Sequence, residues 1–203
     1  MLRSSASRDR LLESAQALIW TRSYYGTSVD EICERSQLKK GSFYHHFESK
    51  EALTIEAIDQ GWARFRQRLD EAFSASHPPL ERFRIFARQT LEAQRAMQAQ
   101  VGKVLGCPLF SLGTEVGTLE PLLRERIDQH LKLQARYYES AILEAQQRAE
   151  LPAGDAAQLA LQLLSFSEGA LSLARIRNDL APVEALESGF MKLLRPGAAS
   201  LAN

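Results

Sequence analysis

Apolar residues recur at three- and four-residue intervals along nearly the whole chain, and the period-two alternation of strands is almost absent, so the pattern predicts an all-α fold. Leu11, Ala15, Leu18 and Ile19 define a first helix that must end near Ser23 to Gly26. Ser28 followed by Glu31 is a capping-box signature, in which hydroxyl and carboxylate satisfy each other's backbone amides, and it opens a short second helix with Val29, Ile32, Cys33 and Ser36 inward. A third short helix runs from about Lys40 to Phe47. Ser49 then caps a long fourth, striped by Ile58, Trp62, Phe65, Leu69 and Phe73. Pro78-Pro79 breaks the chain before a fifth, Gly106-Cys107-Pro108 starts a sixth, and Pro121 opens a long seventh. An eighth spans roughly Asp155 to Arg177, and a ninth follows Pro182 through Val183, Leu186, Phe190 and Leu194.

The second and third helices, joined by a tight turn at Ser36 to Leu38, read as a helix-turn-helix. Phe43 and Phe47 lie four apart and can enter a core together. At 100° per residue Gly41, Ser42 and His45 then point outward, with Tyr44 and His46 on the flanks. A face with two histidines, a phenol, a hydroxyl and lysines at the helix start is rich in hydrogen-bond donors and suits a DNA major groove, although it also describes a solvated helix face. Adjacent helical histidines diverge by about 100°, which disfavours a shared metal ion. No metal site or cofactor is expected.

Composition sharpens this reading only locally. Twenty-five basic and twenty-five acidic side chains cancel over 203 residues, so the global charge announces no nucleic-acid or membrane partner. Residues 39 to 50 nevertheless carry Lys39, Lys40 and Lys50 against Glu48 alone, a local net charge of +2. A hydrophobic content of 45% supports a sizeable core. Cys33 and Cys107 are far apart and in no metal-ligand spacing, which fits a reducing cytoplasm, and no apolar run is long enough for a membrane helix.

The first quarter of the chain resembles the TetR family of bacterial transcriptional repressors. The resemblance lies in Thr27-Ser28-Val29, Glu31-Ile32-Cys33, Lys40-Gly41-Ser42-Phe43-Tyr44-His45-His46-Phe47 and Ser49-Lys50-Glu51-Ala52-Leu53, and it extends over about residues 8 to 60. Three departures stand out: Ser23 where a helix-ending glycine is usual, Cys33 for an alanine, and Gln37 with Lys39 for the turn glycine and a serine. Gln37 is therefore expected to take a positive φ. The resemblance implies a DNA-binding domain over residues 1–50 and a ligand-binding and dimerisation domain over 51–203, linked by the fourth helix at about 49–76. It further implies that Ser28, Tyr44 and Lys50 contact phosphates, while Lys40, Gly41, Ser42, His45 and His46 approach base edges or nearby backbone. Lys39 adds a cation beside the phosphates.

One recognition helix makes few contacts, so a homodimer on double-stranded operator DNA is expected. Residues 158 to 176 are apolar on nearly every face, and Ser165, Gly169 and Ser172 form a stripe of small residues that permits close helix approach. Together with Glu168 and Phe190 they are the candidate subunit interface; an ordinary buried helix gives the same pattern. Glu168 has two readings, a ligand or cation contact and an ion pair with a partner arginine. The resemblance also implies an internal pocket for a small-molecule effector, with Trp62, Phe65, Cys107, Phe110, Tyr137 and Tyr138 as candidate lining, although aromatics at this spacing equally serve as plain core. Cys107, at a helix start, reads either as a reactive thiol or as an inert space-filler. Rival functions are an activator or ligand-independent DNA-binding protein of the same fold, and a helical enzyme or binding protein using the motif as scaffold. The enzyme is disfavoured because no nucleophile-base set or phosphate loop is present.

Overall fold

The computed structural model describes residues 2–195. Among these there are ten helices: α1 (Leu2–Thr21), α2 (Val29–Ser36), α3 (Lys40–His46), α4 (Lys50–Ala72), α5 (Pro79–Val101), α6 (Pro108–Val116), α7 (Pro121–Gln147), α8 (Ala156–Arg177), α9 (Ala181–Glu184) and α10 (Leu186–Leu194). None of them is long and apolar enough to cross a membrane.

Local chemistry explains the boundaries. Ser28 closes both halves of its capping box: its Oγ accepts from the Glu31 amide at 3.2 Å and Glu31 Oε2 accepts from the Ser28 amide at 2.8 Å. At the other end of α2, Gln37 takes the left-handed conformation at φ 55°, and the Leu38 amide reaches back to the Cys33 carbonyl at 2.9 Å, the bond pattern that ends a helix and frees the chain to turn. Ser49 Oγ accepts from the Ala52 amide at 3.0 Å to start α4. Pro79 begins α5, where its missing N–H costs nothing, and Gly102 at φ 73° ends it. The ninth helix expected from sequence is divided at Ala185, whose φ of −78° and ψ of −7° flatten the turn between α9 and α10.

The chain forms two compact units. Among the described residues, the first contains those up to Phe65 together with Pro108–His130; the second contains Arg66–Cys107 and 131–195. The boundary therefore differs from one at residue 50, because α4 and α7 each give residues to both units and α6 belongs to the first.

In the first unit α1, α2 and α3 pack on one another, with Leu11, Ile32, Phe43 and Leu53 fully buried. In the second, Phe73, Phe83, Phe86, Tyr138, Phe166 and Phe190 form a continuous aromatic cluster with neighbouring ring centroids 5.4 to 6.4 Å apart. Gly189 admits the Phe166 ring onto α10: a Cβ there would lie 2.2 Å from Phe166 Cζ. The segment leading into α6 is pinned as well. Gly106 exchanges two hydrogen bonds with the buried Gln94 amide (3.0 and 3.2 Å), the Val104 amide donates to Asn178, and Arg175 donates to the Leu105 carbonyl.

Candidate nucleic-acid interface

Phe43 and Phe47 anchor α3, at 0% and 3% exposure. Because these two define the inner face, Gly41, Ser42, Tyr44 and His45 fall on the opposite side, with Lys40 and His46 at the margins. Lys39, Lys40, Gly41, Tyr44 and His45 are exposed, and Ser42 and His46 are half-buried. Tyr44, expected on the flank, is 59% exposed and meets the Phe43 ring edge to face. A Cβ on Gly41 would meet nothing within 4 Å, so its lack of a side chain opens the helix surface to a close approach from outside.

The charges around α3 are arranged by hydrogen bonds. Lys40 Nζ donates to Asp30 of α2 at 2.7 Å, and this bond raises the lysine's pKa. Lys39 stands at the N-cap without a side-chain cap bond, directly before the positive end of the α3 dipole. His45 and His46 meet edge to face with centroids 5.0 Å apart. Burial first, and then the His45 and Arg8 charges, depress the His46 pKa and favour its neutral ring. Among the described residues no group of three or more histidines, cysteines or carboxylates is placed to hold a metal ion.

Lys50 does something the motif did not announce. Its ammonium donates to the carbonyls of Tyr24 (2.9 Å) and Thr27 (3.0 Å) and lies 4.0 Å from the centroid of the Tyr24 ring. Burial lowers its pKa. In this state the Lys50 ammonium ties the start of α4 to the turn after α1. Ser28 is exposed, but its hydroxyl is engaged by Glu31.

The residues expected to line an effector pocket divide between the two units. In the first, Trp62 packs on Phe65 and stacks on His130 at 4.8 Å and 17°. His130 Nε2 donates to Asp59 at 2.8 Å, which leaves its buried Nδ1 without a partner, and burial lowers its pKa. Phe110 is half-buried on α6. In the second unit Tyr137 hydrogen-bonds Asp70 near the surface, while Tyr138 is wholly buried, accepts from Gln134 at 3.0 Å and has its pKa raised chiefly by burial. Cys107 is half-buried, and its thiol donates to Glu168.

Glu168 and Phe190, expected at a subunit interface, are corrected by this geometry: both lie inside their own chain, at 2% and 0% exposure. Burial raises the Glu168 pKa to about 7, and its Oε2 has no hydrogen-bond partner. Sequence reading placed Glu168 outward because α8 is apolar on nearly every side, so no polar face marked the direction of the interior. Ser165 and Gly169 are exposed and Ser172 half-exposed, flanked on the same surface by Leu161, Leu173 and Ile176 at 52%, 45% and 79%. The sequence reading did not single out Gln134, Ser167 or His130. Gln134 lies one turn before Tyr138, a spacing that signals a helical side-chain pair.

A helix-turn-helix with a buried aromatic anchor and an exposed polar second helix, followed by a larger helical unit, defines a DNA-binding regulator. Known proteins agree. Residues 11–57 match the family described as bacterial regulatory proteins, tetR family, and residues 79–190 match the tetracyclin repressor-like C-terminal domain. The transcriptional regulator AcuR of Cereibacter sphaeroides is 30% identical over 92% of this chain and 84% of its own. The HTH-type transcriptional repressor NemR of Escherichia coli is 27% identical over 88% of each chain. Among solved structures, a regulatory protein TetR from Rhodobacter sphaeroides superposes with a TM-score of 0.83 at 29% identity, covering 93% of this chain and 99% of that one. The reduced form of E. coli NemR does so with 0.82 at 26%, covering 95% and 98%. The chain belongs to the TetR family, whose members are non-enzymatic DNA-binding transcription factors.

Proposed function

We propose that this regulator is a repressor that grips a pseudo-palindromic operator as a two-fold dimer and lets go when a small-molecule effector binds. The observation that carries the reading is the orientation of α3: with Phe43 and Phe47 buried, Gly41, Ser42, Tyr44 and His45 form the outward face that would meet a major groove, with Lys39, Lys40 and His46 along its margins. Lys39 and Tyr44 serve the phosphates, Ser28 adds a contact at the start of α2, and the α3 surface around Gly41 and His45 approaches the base edges. Lys50 contributes by holding the module's shape.

Dimerisation uses the outer face of α8, where Ser165, Gly169 and Ser172 permit close approach and Leu161, Leu173 and Ile176 supply apolar area that a lone chain leaves in water. NemR and DhaR, both named repressors, are relatives over most of this chain, which supports repression as the output. For the effector, the second unit offers the interior polar group of Cys107, Gln134, Tyr138, Ser167 and Glu168, with the bare Oε2 of Glu168 as an acceptor for a ligand donor. Selecting duplexes with the purified protein and measuring their symmetry and stoichiometry tests the reading. Two-fold sites bound by two chains are expected; sites without symmetry, or one chain per duplex, overturn it.

A further inference from the structure

The turn between α1 and α2 is held by two oppositely charged side chains that use different backbone groups. Lys50 takes the carbonyls of Tyr24 and Thr27, as described above. The amides of the same turn go elsewhere: Tyr24 N–H donates to Glu115 Oε2 at 2.9 Å and Tyr25 N–H donates to Glu115 Oε1 at 2.8 Å. Glu115 lies in the last turn of α6, about ninety positions along the chain. It is thus a long-range contact and not a local helix cap.

A carboxylate that gives one oxygen to each of two consecutive amides fixes orientation as well as distance, and charge-assisted hydrogen bonds of this kind are the strong ones. The gripped turn sits immediately before the recognition module. Thr27 precedes Ser28, the N-cap of α2, and α2 packs on α3. Tyr24 is itself 4% exposed, so the turn has little freedom once its amides and carbonyls are both engaged. α6 packs on α1 within the same unit, which carries the Glu115 carboxylate to the turn.

We infer that Glu115 is a positioning residue for operator recognition: through the Tyr24 and Tyr25 amides, α6 sets the α1–α2 turn and with it the placement of α2 and α3 that a two-half-site operator selects. Glu115 does not touch DNA, and its effect falls on discrimination between operator and random duplex. The inference rests on the DNA-binding function and is independent of any effector.

The test uses the full-length protein, an operator duplex recovered by selection with that protein, and a random duplex of equal length. Affinity for both is measured by fluorescence anisotropy at one fixed salt concentration for wild type, Glu115→Gln, Glu115→Ala and Glu120→Gln, with amide hydrogen exchange followed at Tyr24 and Tyr25. Glutamine keeps one acceptor but presents N–H donors where the second amide needs an oxygen. The operator-to-random affinity ratio is expected to fall about tenfold in Glu115→Gln, the loss of one charge-assisted bond, with faster exchange at both tyrosines. Glu120, just beyond α6, hydrogen-bonds the exposed side chain of Tyr25 and not the backbone of the turn; Glu120→Gln removes a charge from the same neighbourhood while leaving both amide bonds, and is expected to stay within about twofold. The ratio does not depend on the folded fraction, so a merely destabilised protein leaves it unmoved. An unchanged ratio in Glu115→Gln, an equal fall in Glu120→Gln, or a Glu115→Gln chain that no longer folds overturns the inference.

Discussion

Lys50 and Tyr24 are joined twice: the ammonium donates to the Tyr24 carbonyl at 2.9 Å and stands 4.0 Å from the centroid of the same residue's ring. An ammonium engaged in this way supports the module from within, whereas one that meets a phosphate supports it from outside, and the two roles leave different signatures. Replacing Lys50 by Met keeps the apolar stem and strands two part-buried carbonyls. The N-terminal module is expected to lose about 1 to 3 kcal/mol in denaturant titration, with the salt slope of operator binding unchanged. A slope shallower by about one unit with unchanged stability assigns Lys50 to a phosphate instead.

Gly169 distinguishes a free helix face from an interface. A Cβ there meets nothing within 4 Å in the single chain. Gly169→Leu is therefore expected to leave the protomer folded, and even to favour α8 by about 1 kcal/mol through helix propensity, while raising the dimer dissociation constant at least tenfold by blocking close approach. Sedimentation equilibrium with circular dichroism checks both halves. An unchanged dimer constant moves the interface off this stripe.

How much of this was legible in the sequence depended on how local the signal was. Helix boundaries were written in single residues: the Ser28 and Glu31 box, Ser49, Pro79, Pro108 and Pro121 each act within one turn, and each stands where its helix begins. The positive φ of Gln37 followed from a glycine missing from the family motif. Side-chain direction on α3 was legible from the buried phenylalanines, whose four-residue spacing fixes the inner face. Lys50, Glu115 and Glu168 were not legible in the roles they hold, since each takes its role from groups tens of residues away. On α8, where nearly every face is apolar, periodicity carried no direction, and Glu168 was consequently placed outward.

Glu168 makes stability depend on pH in a definite sense. Burial raises its pKa from 4.5 to about 7, so the folded chain holds this proton more tightly than the unfolded one. Its stabilising contribution is complete below about pH 4.5 and is lost as pH rises through about 7. Glu168→Gln, which resembles the protonated acid, is expected to flatten the decline in stability between those values by a few kcal/mol, measured as the difference between the two denaturation series. Parallel curves for wild type and variant contradict the assignment.

The two cysteines provide an internal comparison of access. Cys33 is 5% exposed and burial pushes its thiol pKa up, whereas Cys107 is half-buried and donates to Glu168. Iodoacetamide at neutral pH is expected to label Cys107 several-fold faster than Cys33, because Cys107 is the more accessible of the two. If Cys107 lies in the effector site, its alkylation weakens operator binding, read by anisotropy against a Cys107→Ser control. Full alkylation with unchanged affinity places Cys107 outside that site.

The outward face of α3 as the DNA-reading surface of a two-fold dimer is tested most directly by hydroxyl-radical footprinting of wild type and a Tyr44→Ala, His45→Ala variant on the selected duplex. The wild type is expected to protect two half-sites related by a two-fold axis, with centres about 34 to 36 Å apart or a multiple of that spacing, and the variant to lose the pattern while remaining folded. A single asymmetric footprint, or the same symmetric footprint from the variant, contradicts it.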